Sequence, residues 1–272
     1  MSVVQMSEPP TSAKAAPSES SPAILVARAL QVLDAFMGEE RAMSLSDLAR
    51  RVALPKSTAF RIVNQLTESG YLVRLGRSYQ LSSHLFRLGN SVVVPHQVPL
   101  REVAAPHLAG LFQHTGFGVN LAVLDGPGEV LYLDTIRGVR IPTAPFGVGA
   151  TMPAMITALG KVILAHQDDD TVGAALAAGW PRRTPYTVMG RGLMADQLRK
   201  ARQTGVAFDR QEAVVGLSCV AAAVLDADGR AIGAVSACGP VGRFKPEAAA
   251  PATLRAARLI SNDVKRAAAL QA

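Results

Sequence analysis

The stretch KSTAFRIVNQLTESG, residues 56–70, gathers side chains suited to a polyanion. Lys56, Ser57 and Thr58 stand at the start of a predicted helix, where unpaired N–H groups and the helix dipole favour phosphate. Arg61 and Asn64 follow on its outward face and can reach base edges, where a good bidentate contact discriminates by roughly 1–3 kcal/mol. Arg77 and Tyr79, a little downstream, suit the nucleic-acid backbone or minor groove. From Arg50 to Arg77 the basic residues are Arg50, Arg51, Lys56, Arg61, Arg74 and Arg77, and the acid is Glu68. A plain helical bundle with a solvated basic face is the competing explanation.

A second group lies far downstream. Two predicted strands, 217–225 and 230–238, are joined by Asp226-Ala227-Asp228-Gly229. Pairing Leu225 with Arg230 sets Cys219 opposite Ser236, and alternation brings Cys238 to the same face. Beside a helix start at Thr157, Ala158 and Leu159, two thiols and a hydroxyl form a donor set that binds a carboxylate without a metal. Spacing alone equally fits two cysteines buried as small hydrophobes.

Other groupings carry less. Asp168–Asp170 precedes a helix and reads as a cap. Asp226-x-Asp-Gly lacks the later ligands of a calcium loop. His107 and His114 have no metal-spaced companions. Ser218 lacks the second glycine of a nucleophile elbow.

The elements that must position the two groups follow from periodicity. Residues 23–36 read as a helix with an apolar stripe of Ile24, Ala27 and Leu30, joined by Val26 and Leu33. Ser44 caps a helix starting at Leu45. After Pro55, Ala59, Ile62, Val63 and Leu66 form the buried face of the next helix, and Gly70 ends it. YLVRLGRSYQLS alternates as two short strands around Gly76, a wing, and the ensemble is a winged helix-turn-helix. A connector helix follows. A helix over 100–116, a hairpin turning at residues 125–128, further helices near 154–165, 168–179 and 193–205, and a closing helix over 246–269 complete the chain. The order implies an α+β fold on an antiparallel sheet.

Composition is consistent with this. The chain has 272 residues, 49% of them hydrophobic, which favours two domains and excludes global disorder. Its net charge of +7 and pI near 9.8 suit an anionic partner. Aromatics at 5% argue against single-strand binding by base stacking. Two cysteines make no disulfide framework, and a reducing cytoplasm is expected. Residues 1–22 read as a disordered tail with no signal-peptide pattern. No apolar run is long enough to span a bilayer.

LSDLARRVALPKSTAFRIVNQLTESGYL closely resembles the winged helix-turn-helix of the isocitrate lyase regulator (IclR) family of bacterial transcription factors. MPAMITALGKVILA and GVAFDRQEAVVGLSCVAAAVLDADGRAIGAVSACGP resemble two further family segments, in family order. The resemblance implies a DNA-binding domain over 23–82, a linker helix over 83–99 and a GAF-like effector domain over 100–272. It implies homodimers or homotetramers on double-stranded operator DNA, with a small organic acid as effector and no cofactor. It places Asp209, Met155, Thr157, Ala158, Leu159, Cys219, Ser236 and Cys238 at the effector site; Met155, Leu131 and Phe146 are the expected apolar wall. Phe60 stands where the family commonly has His, Ala223 where it has Pro, and Met155 where His is frequent. The alternative of another class is a GAF-type enzyme using Cys219 or Cys238 as a redox nucleophile; against it, the sequence shows no clear feature that lowers a thiol pKa, burial next to Arg210 being the one candidate.

Overall fold

Ser44 starts the first helix pair as its chemistry dictates. Its Oγ accepts from the Asp47 N–H at 3.2 Å and donates to the Asp47 carboxylate at 2.6 Å, fixing the entry to the next helix. The computed structural model describes residues 22–37, 40–90, 100–138 and 147–270. It divides into two compact units, with the boundary at residues 92–93.

The first unit comprises α1 (Pro22–Asp34), a 3-10 turn (Ala35–Met37), β1 (Met43–Ser44), α2 (Leu45–Arg51), α3 (Lys56–Glu68), β2 (Leu72–Leu75), β3 (Ser78–Leu81) and α4 (Ser83–Asn90). Its antiparallel sheet runs β1-β3-β2. Ile62 and Val63 of α3 pack with Val32, Phe36, Leu48 and Leu72. Gly70 adopts φ +77°, and the Tyr71 N–H returns to the Leu66 carbonyl at 2.8 Å, closing α3.

The stripe expected on α1 is not the buried one. Val32 is fully buried and Ala29, Leu33 and Ala35 pack beside it, while Leu25, Val26 and Leu30 are about half exposed. Apolar residues occur on every side of this helix, so periodicity does not single out a face. Of the expected tail only Pro22 is described, as the first residue of α1; of the linker helix 83–99, residues 91–99 lie outside the described residues.

The second unit contains α5 (Leu100–Thr115), β4 (Gly118–Asp125), β5 (Glu129–Ile136), β6 (Thr151–Pro153), a 3-10 turn (Ala154–Ile156), α6 (Ala158–Leu164), α7 (Asp169–Ala178), α8 (Arg191–Thr204), β7 (Val206–Arg210), β8 (Leu217–Leu225), β9 (Ala231–Pro240) and α9 (Pro246–Ala269). One antiparallel sheet runs β6-β5-β4-β9-β8-β7. Alternation along the strands sorts residues to two faces. Val119, Leu121, Ala222, Val224 and Val235 pack with Leu108 of α5 and Ile260 of α9. Ala122, Tyr132, Cys219, Ala221, Ala234 and Cys238 face the side of α6 and α8.

The β8–β9 register differs from the expected one by two residues. Leu225 pairs with Ala231 rather than Arg230, and a bulge between Val224 and Leu225 adds one more residue. Cys219 therefore opposes Cys238, and Ser236 opposes Ala221. A shift of two preserves the faces, so these three side chains still share one side.

Candidate functional site

The front of α3 is left open. Pro55 precedes it without a side-chain cap, so the N–H groups of the first turn have no local acceptor. Lys56, Ser57 and Arg61 are exposed there, Thr58 and Asn64 are half-buried, and Arg77 is exposed on the wing. Lys56, Arg61 and Arg77 make no ion pair among the described residues, whereas Arg50 pairs with Asp47 at 2.8 Å and Arg51 with Glu40 at 2.7 Å. The positive face is thus carried by α3 and the wing.

Tyr79 departs from expectation. Only 5% of it is exposed, and it packs with Met43 and Leu72 in the core while the Arg74 guanidinium lies 6.0 Å from its ring centre. It sits on the inner face of β3, so it supports the wing and does not reach a groove.

In the second unit a small cavity is lined by Asn120, Tyr132, Thr157, Ala158, Leu159, Asp209, Cys219 and Ser236. Thr157 caps α6 through Gly160 N–H to its Oγ1 at 3.0 Å. This cap needs Gly160: a Cβ there would stand 2.3 Å from the Ala154 backbone. Ala158 and Leu159 are the first residues of α6, so their N–H groups lack intrahelical acceptors. Asn120 Nδ2 donates to Ser236 Oγ at 3.1 Å and to Cys238 Sγ at 3.5 Å.

Asp209 opposes Cys219 across the β7–β8 ladder. Its Oδ1 accepts from the Glu212 and Ala213 N–H groups at 2.7 and 3.4 Å. Burial nonetheless dominates over the pull of Lys161 and these donors, and raises its carboxyl to about 7. Burial, then the neighbouring Cys219, Cys238 and Asp209, push the Tyr132 phenol well above its usual range. The Lys161 ammonium is not a lining group: it donates to Glu212 Oε1 at 2.5 Å and to the Phe208 carbonyl at 3.0 Å.

The expected members are thus divided. Thr157, Ala158, Leu159, Asp209, Cys219 and Ser236 line the cavity; Cys238 is buried next to Asn120 and is not part of the wall. Met155 is 1% exposed and packs in the core around α6 instead of lining the cavity. Leu131 packs on the other face of the sheet, with the α5–α9 cluster. Phe146 lies outside the described residues. Asn120 and Tyr132 are lining residues that sequence reasoning missed; their signal is a polar residue and an aromatic ring in otherwise aliphatic strands.

Two family profiles match, that of the bacterial transcriptional regulator IclR C-terminal domain over residues 92–266 and that of the IclR helix-turn-helix domain over residues 25–76. The chain belongs to the IclR family of bacterial transcription regulators. It is 35% identical over 204 residues to the HTH-type transcriptional regulator TtgV of Pseudomonas putida, covering 74% of this chain and 76% of that one. It is 31% identical over 214 residues to XynR of Escherichia coli, covering 78% and 84%. Among solved structures, an IclR homologue from Microbacterium hydrocarbonoxydans complexed with 4-hydroxybenzoate superposes with a TM-score of 0.78 at 27% identity, covering 89% of this chain and 99% of that one. The protein is a DNA-binding regulator, as its IclR relatives are, and the enzyme alternative is set aside on that ground. Arg210, the residue invoked to activate a thiol, pairs instead with Glu247 at 2.6 Å. No helix among the described residues is long and apolar enough to cross a membrane.

Proposed function

We propose that operator binding by this regulator is modulated by a small organic acid held in the cavity between α6 and the sheet. The observation that carries this is the lining itself: Thr157, Ser236, Asn120, Cys219 and the first N–H groups of α6 converge on a small space. The Microbacterium homologue's complex with 4-hydroxybenzoate supports the class of ligand. No Lys, Arg or His lines the cavity among the described residues. The anion is therefore held by hydrogen-bond donors, and Asp209 in its neutral form adds an O–H rather than an opposing charge.

On the DNA side, Lys56, Ser57 and Thr58 hold phosphate at the front of α3, Arg61 and Asn64 read base edges, and Arg77 holds the backbone from the wing. The operator is read by a homodimer or homotetramer. Support comes from exposed apolar side chains on α1 and α4: Leu25, Val26, Leu30, Phe86 and Leu88 are each 44–69% exposed. The working compartment is the cytoplasm, where the DNA is.

The test is fluorescence anisotropy with the DNA upstream of the protein's own gene, with and without a panel of aromatic and short-chain carboxylates. One class of acid should change operator affinity by about 5–150-fold, the usual size of such coupling. Operator affinity indifferent to every acid that calorimetry shows to bind, or no acid binding at all, rejects the proposal.

A further inference from the structure

We propose that Cys219 and Cys238 form a reversible oxidation site, at which a peroxide entering the effector-domain cavity converts the two thiols into a disulfide bridging β8 and β9. The two residues are directly opposed across the ladder. Opposed antiparallel residues have Cα atoms about 4.5–5.5 Å apart, within the span a disulfide requires. Both side chains lie in the buried cluster on the α6 side of the sheet. Cys219 forms part of the cavity wall, which provides the route of entry.

Cys219 lines the cavity, and Cys238 lies behind it with its Sγ accepting from Asn120 Nδ2 at 3.5 Å. One of the two thiols ionises and its sulfur bonds to one peroxide oxygen; the O–O bond breaks, and the leaving hydroxide takes up the released proton as water, giving a sulfenic acid. The other thiol then attacks that sulfur and gives up its proton. The S–O bond breaks, and the departing hydroxide takes up the proton as a second water. Two thiols lose two electrons in all, and hydrogen peroxide is reduced to two waters. A disulfide exchange with a small thiol reverses the bond.

The chain's only cysteines are these two, so bulk thiol counts report on this site. Reduced full-length protein is treated with about a tenfold excess of hydrogen peroxide, quenched with catalase, denatured, and assayed by thiol titration and intact mass. Both thiols should disappear with a mass loss of about 2 Da, and dithiothreitol should restore them. Thiols that remain titratable, a gain of about 16 or 32 Da on one cysteine, or a bridge between chains would overturn the proposal. Cys219→Ser and Cys238→Ser both remove the bridge, and at least one should stop at a sulfenic acid that dimedone traps on the remaining cysteine; trapping in neither overturns the proposed sequence of steps. The wild-type measurement stands even if a variant fails to fold.

Discussion

Lys161 Nζ lies 2.5 Å from Glu212 Oε1, with 1% and 4% of the two side chains exposed. The other Glu212 oxygen is buried without a hydrogen-bond partner among the described residues, where the carboxylate depends on this one cation. Removing one charge strands the other. Lys161→Met should cost about 3–5 kcal/mol in urea unfolding, and Lys161→Met with Glu212→Leu should recover much of it. Equal costs for the single and double replacements would show that the pair does not act as a unit.

Asp209 gives stability a pH dependence of known sign. Its folded value of about 7 exceeds the ordinary 3.8, so the folded chain keeps a proton that the unfolded chain releases. Its contribution is complete below about pH 4 and is lost as pH rises to about 7, by up to about 4 kcal/mol. Asp209→Asn should remove that slope from unfolding curves. The same proton bears on the effector: a bound acid should weaken as pH rises through about 7, and calorimetry in buffers of different ionisation enthalpy should record proton uptake.

The two cations of α3 separate by readout. Lys56→Ala should weaken all duplexes alike and lower the salt dependence of binding by about one counterion per chain. Arg61→Ala should cost about 1–3 kcal/mol on the operator and far less on unrelated DNA. Titrations at several salt concentrations against both duplexes decide this. Unchanged affinity in both variants would remove α3 from the interface.

Gly160 holds α6 against the turn before it. Gly160→Ala places a methyl group 2.3 Å from the Ala154 backbone. The backbone has to shift, at a cost of about 1–3 kcal/mol or more, and the Thr157 cap shifts with it. Thr157→Ala alone should cost about 1 kcal/mol. Thermal melts rank the two, and a Gly160→Ala protein as stable as the parent would contradict the close approach.

Ala53, in the turn between α2 and α3, has φ 52°, the left-handed region where a side chain is strained. Ala53→Gly should raise stability by about 0.5–1 kcal/mol in the same melts. A loss would mean that the turn gains more from a stiffer residue.

Much of this was legible where periodicity is strong and ends are punctuated. Ser44, Pro55 and Gly70 mark the helix pair, and α9 runs over the expected residues. β6 and β7 were not, because both are short strands at the sheet edges and β7 ends in Asp209-Arg210. The cysteines' shared face followed from alternation, but their pairing did not: a bulge leaves no compositional trace in a run of Ala, Val and Gly. Tyr79 was misplaced because alternation in a short strand does not say which side is inward. Lys161 read as one residue of a family segment; only the fold shows that Glu212 answers its charge.

All seven residues of α6 are buried, from Ala158 to Leu164, and its one charge carries its own counterion with it. A helix with no wet side has no position at which single substitutions accumulate harmlessly. The strand residues across the cavity, Asn120, Tyr132 and Ser236, are buried to the same degree, so a change on either side of it has to be answered by a change on the other.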